Sequence, residues 1–213
     1  DESVATVSED GTVTAVAKGT ATIKVSGTNK VYANTTVNVL VPATAVTLTK
    51  AVTDKPITIN TGSSITLQST TKDTTIGFNL TPDTSTDNVT VTSSAPSIAS
   101  VSEGKNGKFT VKGEAKGVAT ITVTATSGVS TSFNVTIIHT ITEITLPKTI
   151  SVPKGTTKQL VPTVKPVDHN DTITWSSANE KIATVDANGV VTAKEKGTVQ
   201  ITATSSGGYS ATI

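Results

Sequence analysis

The chain has 213 residues, 35% of them hydrophobic and only 3% aromatic, with a formal net charge of +1; a length of that order accommodates about two domains. There is no Cys, no Met and no Arg, the seventeen basic residues all being Lys; this excludes disulfides, thiolate metal sites and cysteine nucleophiles, and supplies neither a strong field nor an arginine fork for nucleic acid. No run of eighteen apolar residues occurs, so no membrane-spanning helix is expected. Thr exceeds forty residues and Val, Ala and Ile supply most of the apolar count. β-Branched side chains favour a pleated, half-buried surface, so the composition points to an all-β chain with several small cores. The chain opens at Asp1 with no signal peptide, as a mature or excised fragment would.

Residues 1–41 read as the later part of a repeating unit. Val4, Ala5 and Val7 begin a short strand, Asp10-Gly11 supplies a hairpin turn, and Val13 and Ala15 lead to a second turn at Lys18-Gly19. Ala21, Ile23 and Val25 then alternate with Thr22 and Lys24, the period-two signature of a strand with one buried face. After Gly27-Thr28-Asn29, Val37, Val39 and Val41 share one face of a last strand. With no earlier strands in this unit, Val4, Val7, Ile23, Val37 and Val39 are expected to lack a facing sheet, to be completed by other sequence or by strand addition from another chain.

Residues 42–138 read as a complete unit with insertions. Val46 and Leu48 open it, Asn60-Thr61-Gly62 is a turn, and Ile65 and Leu67 follow in a strand. A polar connection over 71–88 carries an extra strand around Ile76–Leu80, and Val89 and Val91 resume the pattern. Gly107 and Gly117 lie ten apart, against eight for Gly11/Gly19 and Gly189/Gly197, so this hairpin is two residues longer. Ala119, Ile121, Val123 and Ala125, then Phe133, Val135 and Ile137, close the unit.

Residues 139–213 read as a third unit lacking the end of its last strand. Ile144, Leu146, Leu160 and Val164 mark its first strands, and Asp168-His169-Asn170-Asp171 is a loop. Trp175–Thr204 then repeats the earlier pattern of hairpin, Lys-Gly turn and alternating strand. Turn signals every eight to twelve residues predict β-sandwiches, and no 3.6-residue periodicity of helical length is present. The short connections at Val41–Ala43 and Ile138–Thr140 predict tightly jointed neighbours.

The motif string Trp175-Ser176-Ser177, Ile182-Ala183-Thr184-Val185, Asn188-Gly189, Val191-Thr192-Ala193 and Lys196-Gly197-Thr198-Val199-Gln200-Ile201 resembles the bacterial immunoglobulin-like domains of group 2. The first unit matches it with Val4-Ala5-Thr6-Val7, Gly11, Val13-Thr14-Ala15 and Lys18-Gly19-Thr20-Ala21-Thr22-Ile23. The middle unit departs, with Thr92 read at the place of Trp175 and Ser100 at that of Thr184. The resemblance implies tandem immunoglobulin-like β-sandwiches in a row. It also implies a module of bacterial surface proteins (S-layer proteins, adhesins, invasins) or of phage tails and capsids, acting as spacer, lattice element or binding surface.

Few residues offer chemistry. A hydrolase triad would need His139 or His169 beside a Ser and a carboxylate; His169 adjoins Asp168 and Asp171, but in a polar loop without a nucleophile elbow, and no enzyme is expected. Asp168, Asn170 and Asp171, and separately Asp83 and Asp87, carry oxygens suited to calcium, although neither group has EF-hand spacing; no cofactor is predicted and calcium is allowed for. Trp175 is expected in the core, and Tyr32, Tyr209, Phe78, Phe109 and Phe133 show no lectin-like clustering. Five Asn-x-Thr sequons, at Asn34, Asn79, Asn88, Asn134 and Asn170, are about the number so Thr-rich a chain carries by chance. Lys24 and Lys112 suit the protection of exposed strand edges. The sequence thus predicts a secreted structural module of a bacterial cell surface or cell wall, of S-layer type, whose partners are other copies or neighbouring surface chains. The alternatives are an adhesin stalk or carbohydrate-binding module recognising cell-wall or host glycans, and a phage decoration domain. No nucleic acid is expected as a partner.

Overall fold

The computed structural model describes residues 1–70, 72 and 75–213; Thr71, Asp73 and Thr74, within the polar connection over 71–88, lie outside the described residues. Strands and turns make up the described chain apart from one α-helical turn at Lys50–Thr53 and a 3-10 turn at Lys105–Gly107. Contacts group it into two compact units, residues 1–57, 64–112 and 118–135 in one, and 58–63, 113–117 and 136–213 in the other.

In the first repeat β1 (Ala5–Val7) pairs antiparallel with β2 (Val13–Ala15), and β3 (Gly19–Ser26) with β4 (Tyr32–Val39). The turn between β1 and β2 is fixed by the Gly11 amide donating to Ser8 O (3.0 Å) and the Thr12 amide to Asp10 Oδ1 (3.0 Å). Val4 and Ala5 pack with Ala21 and Val39. The expected bare face is therefore partly closed: Val4 and Ile23 are buried and Val37 and Val39 half-buried, while Val7 stays 48% exposed. Val25, despite its alternating position, lies near the end of the long hairpin and is exposed. Lys24 places its Nζ 4.1 Å from the centre of the Tyr32 ring, on one of the two strands of an open ribbon, where a cation discourages further pairing.

The middle repeat holds β5 (Ala45–Leu48), β6 (Ile57–Asn60), β7 (Ser64–Ser69), β8 (Gly77–Thr81), β9 (Val89–Ser93), β10 (Ala99–Glu103), β11 (Lys108–Gly113), β12 (Gly117–Ala125) and β13 (Ser130–Ile138). They form two sheets, in the order β10-β11-β7-β8-β5 and β6-β13-β12-β9. The strand read around Ile76–Leu80 is β8, and β6 is a strand the sequence reading did not single out. Leu67, Phe78 and Phe109 of one sheet pack with Val123 and Ala125 of the other, because alternate residues of each strand face inward. Lys112 is not an edge residue: β11 lies between β10 and β7.

The last repeat holds β14 (Glu143–Thr145), β15 (Thr157–Gln159), β16 (Thr163–Lys165), β17 (Ile173–Ser177), β18 (Ala183–Val185), β19 (Val190–Ala193), β20 (Ile201–Ser205) and β21 (Ser210–Thr212). Its sheets run β14-β16, β15-β19-β18 and β17-β20-β21. Trp175 is half-buried and joins two clusters, one with Leu160, Ala183, Val191 and Ile201, the other with Ile141, Ile144 and Ala203. It is a core residue, as expected. Gly189 lies against it in the β18–β19 turn at φ +80°; a Cβ there would meet Leu160 O at 2.7 Å and the indole Cζ2 at 2.8 Å.

Strand register corrects one assignment. Trp175 pairs with Ala203 in β20, and Val91, not Thr92, pairs with the corresponding Val123 in β12. The Ala178 amide donates to Gln200 O and the Ser94 amide to Thr120 O, which fixes the same offset. The middle repeat has one residue fewer between its Ser-Ser pair and Ile98 than the last has before Ile182. Thr92 consequently points outward, and Val91 takes the inward place.

Candidate functional site

The two short connections between repeats are built from one set of contacts used twice. Each lies wholly inside one compact unit, the first in 1–57, 64–112 and 118–135, the second in 58–63, 113–117 and 136–213. A connection leaving one sandwich for the next has backbone groups that no sheet ladder can pair, and these need other partners. At the first joint the Val41 amide donates to Thr86 Oγ1 (2.9 Å) and the Thr86 amide donates back to Val41 O (2.8 Å). At the second, the His139 amide donates to Asn170 Oδ1 (3.0 Å) and the Asn170 amide to His139 O (2.7 Å).

The next residue, an aspartate, latches each joint by accepting from the amide two residues beyond Val41 or His139. Asp87 Oδ2 accepts from the Ala43 amide (3.0 Å) and from the Ser127 amide in the β12–β13 turn (3.1 Å). Asp171 Oδ2 accepts from the Ile141 amide, and its Oδ1 accepts from the Ser206 hydroxyl (2.5 Å) in the β20–β21 turn. Each carboxylate thus ties the first residues of its sandwich to the turn of a hairpin in the same sandwich. The preceding sandwich contributes a lysine. Lys18, in the first Lys-Gly turn, donates to Thr84 O (3.3 Å), and Lys116, in the second, donates to Asp168 O (2.7 Å). The second joint has one further contact, His139 Nδ1 to Asp168 Oδ2 at 2.9 Å.

Hydrogen bonds to the ionised form hold these carboxyls below the usual carboxylate range. For Asp87 the bonds come first from Ser127 and then from Ala43; for Asp171, first from the Ser206 hydroxyl and then from the Ile141 amide. Asp168 is lowered chiefly by its bond to His139. A lowered carboxyl contributes stability that is present above its unfolded pKa of about 4 and lost as pH falls through the lower folded value. Both joints should therefore be intact at neutral pH and loosen below about pH 4. Amide exchange at Ala43 and Ile141 should accelerate there, ahead of the strand cores; unchanged protection down to about pH 2 would refute the latch.

The residues singled out for chemistry go to structural duties. Asp168 pairs with His139 rather than with its neighbour His169, whose half-buried ring leaves Nδ1 without a partner among the described residues. No hydroxyl bonds to either imidazole among the described residues, so no triad is assembled. Asn170 and Asp171 bond to backbone amides, and among the described residues no three His, Asp or Glu side chains gather closely enough to hold a metal ion. Among the described residues no helix is long and apolar enough to cross a membrane. The sequence reading placed Lys18 in a turn but missed its contact across the joint, along with the roles of Lys116 and Thr86 and the latching role of the aspartates. Their signal was present: Asp87 and Asp171 each stand two residues before the first residue of a strand, at Val89 and Ile173.

Comparison with known proteins places the last repeat. The bacterial Ig-like domain (group 2) profile matches residues 140–213. A lacto-N-biosidase of Bifidobacterium bifidum is 45% identical over 64 residues, 30% of this chain and 6% of that protein. A minor capsid protein of Enterobacteria phage T3 is 44% identical over 61 residues, 29% of this chain and 14% of that protein. The chain therefore spans a small fraction of the curated relatives it matches. Among solved structures, domains 4 and 5 of the S-layer protein SbsC align at 25% identity over 63% of this chain and 66% of that one, with a TM-score of 0.35. Residues 140–213 match the bacterial Ig-like domain of group 2, and two earlier stretches of the chain carry copies of the same motif.

Proposed function

We propose that this chain is a non-catalytic structural segment of a secreted bacterial cell-surface protein, of the kind that builds an S-layer lattice. Its modules are residues 1–41, 42–138 and 139–213, and it works through spacing and lateral contacts with other copies. The observation that carries this reading is the joint. The same lysine, exchanged amide pair and aspartate latch recur at Val41 and at His139, an investment in holding neighbours together that a catalytic or simply tethered module does not need. The polar groups at these joints are spent largely on backbone amides and carbonyls, which supports a structural role.

Calcium enters this proposal as a bridge between copies. Light scattering on the purified chain, with calcium and then with chelator, tests it. Growth into large assemblies that chelation reverses is the expected result, and a monomer under both conditions overturns the lattice. A second reading, a spacer module inside a larger surface or virion protein, is favoured by the small share of each curated relative that the match covers; a monomer in both conditions supports it.

A further inference from the structure

The middle repeat departs from its neighbours in the connection that ends at Asn88 and in the longer hairpin through Gly107. Both departures line the same cavity, of about 500 Å³, a volume within the usual range for small-molecule sites. Phe78 and Phe109, 1% and 4% exposed, form its base. Asp83, Asp87 and Glu103 bring three carboxylates to it, and among the described residues no Lys or His lines it. Asp83 and Glu103 are exposed, and neither carboxylate has a hydrogen-bond or ion-pair partner among the described residues. Asp87 commits Oδ2 to the joint, and its hydrogen bonds from Ser127 and Ala43 keep it ionised.

The lining chemistry selects among ligands. The carboxylates surround a space and do not meet at a point, since no three acidic or imidazole groups among the described residues are close enough for one metal ion. The covered faces of Phe78 and Phe109 offer no platform for a sugar ring. What remains is a cation with an apolar body. We propose that this cavity binds a primary ammonium carried on an unbranched aliphatic chain, as in a polyamine or a lysine side chain. The methylenes lie along Leu80 and Val89, and the ammonium pairs at the rim with the exposed carboxylate of Asp83 or Glu103. A second copy of this chain could supply such a group, because all its basic residues are lysines. The site does not depend on lattice formation.

The test is a titration of the whole chain with 1,5-diaminopentane at low salt, followed by backbone amide NMR. Saturable shifts confined to residues 79–89 and 103–109 are expected. The double variant Asp83→Asn/Glu103→Gln should weaken binding about fivefold or more, as expected for two exposed charge pairs. Its side chains are exposed and uncommitted, so the fold is retained, and unchanged shifts elsewhere verify that. Pentan-1-ol, N-acetylglucosamine and calcium, measured in parallel, should leave these amides unmoved. Nα-Acetyl-lysine amide binding within threefold of the diamine assigns the site to a lysine of another chain; a larger advantage for the diamine assigns it to a free polyamine. The proposal fails if the diamine gives no saturable shift, if the double variant binds it as well as the native chain, or if the sugar or calcium binds there instead.

Discussion

Replacing Gly189 by Ala should destabilise the last sandwich by about 3 kcal/mol or more. Two costs add. A residue with a Cβ is strained at φ +80°, by roughly 1–2 kcal/mol. The new methyl would also meet a backbone carbonyl, Leu160 O, at 2.7 Å and the indole of Trp175 at 2.8 and 2.9 Å; overpacking of that kind costs about 1–3 kcal/mol. Trp175 is the chain's single tryptophan, so its fluorescence follows this sandwich alone. The midpoint of that transition should fall by more than about 10 °C. Gly11 supplies the control. It holds the corresponding turn of the first repeat at φ +85° with nothing within 4 Å of its would-be Cβ. Gly11→Ala should therefore cost only the backbone strain, about 1 kcal/mol. Equal effects at the two positions would show that the Trp175 contact carries no weight.

Trp175→Ala should cost the last sandwich about 3 kcal/mol, the lower end for removing a large aromatic from a core, because the indole is half-buried. The effect is large because this one side chain joins two clusters, around Leu160 and Val191 and around Ile141 and Ala203; its loss opens both. Calorimetry reads the result as a lowered transition for this sandwich with the others unchanged, and a shift under about 3 °C would contradict the bridging role. The two substitutions touch, so they should not add. In Trp175→Ala/Gly189→Ala the indole no longer opposes the new methyl, while Leu160 O still does. The double variant should be less unstable than the sum of the singles by about 1 kcal/mol.

The strands and hairpins were legible because two kinds of residue mark them. Alternation in Ala21-Thr22-Ile23 and Ala119-Thr120-Ile121 gives the buried face, and Asp10-Gly11 and Asn188-Gly189 give the turns. Register was less legible. A single missing residue before Ile98 moved Thr92 into apparent alignment with Trp175, although a strand's two faces make that slip an inversion; only pairing with Val123 shows that Val91 is the inward residue. Lys112 misled for a similar reason, since sequence gives a strand's pattern but not its neighbours, and β10 and β7 enclose β11. The joints escaped notice because half their groups are backbone amides and carbonyls, which every residue has. The cavity escaped because its two walls, near Asp83 and Glu103, come from insertions far apart in sequence.

The joint also bears on how such genes change. The middle and last sandwiches each carry an acceptor loop with its aspartate, and the Lys-Gly turns at Lys18 and Lys116 each donate to the sandwich that follows. The recognition between neighbours is spent on main-chain groups and on a few side chains, Lys18 donating to Thr84 O and Lys116 to Asp168 O, while Asp87 and Asp171 fix the receiving ends. The middle repeat absorbs its insertions between those ends and keeps both contacts. A segment bounded in this way can be duplicated, deleted or transplanted by recombination without redesigning its neighbour. The unit on which such selection acts is then the cassette from one Lys-Gly turn to the next, offset from the sandwich that the fold defines.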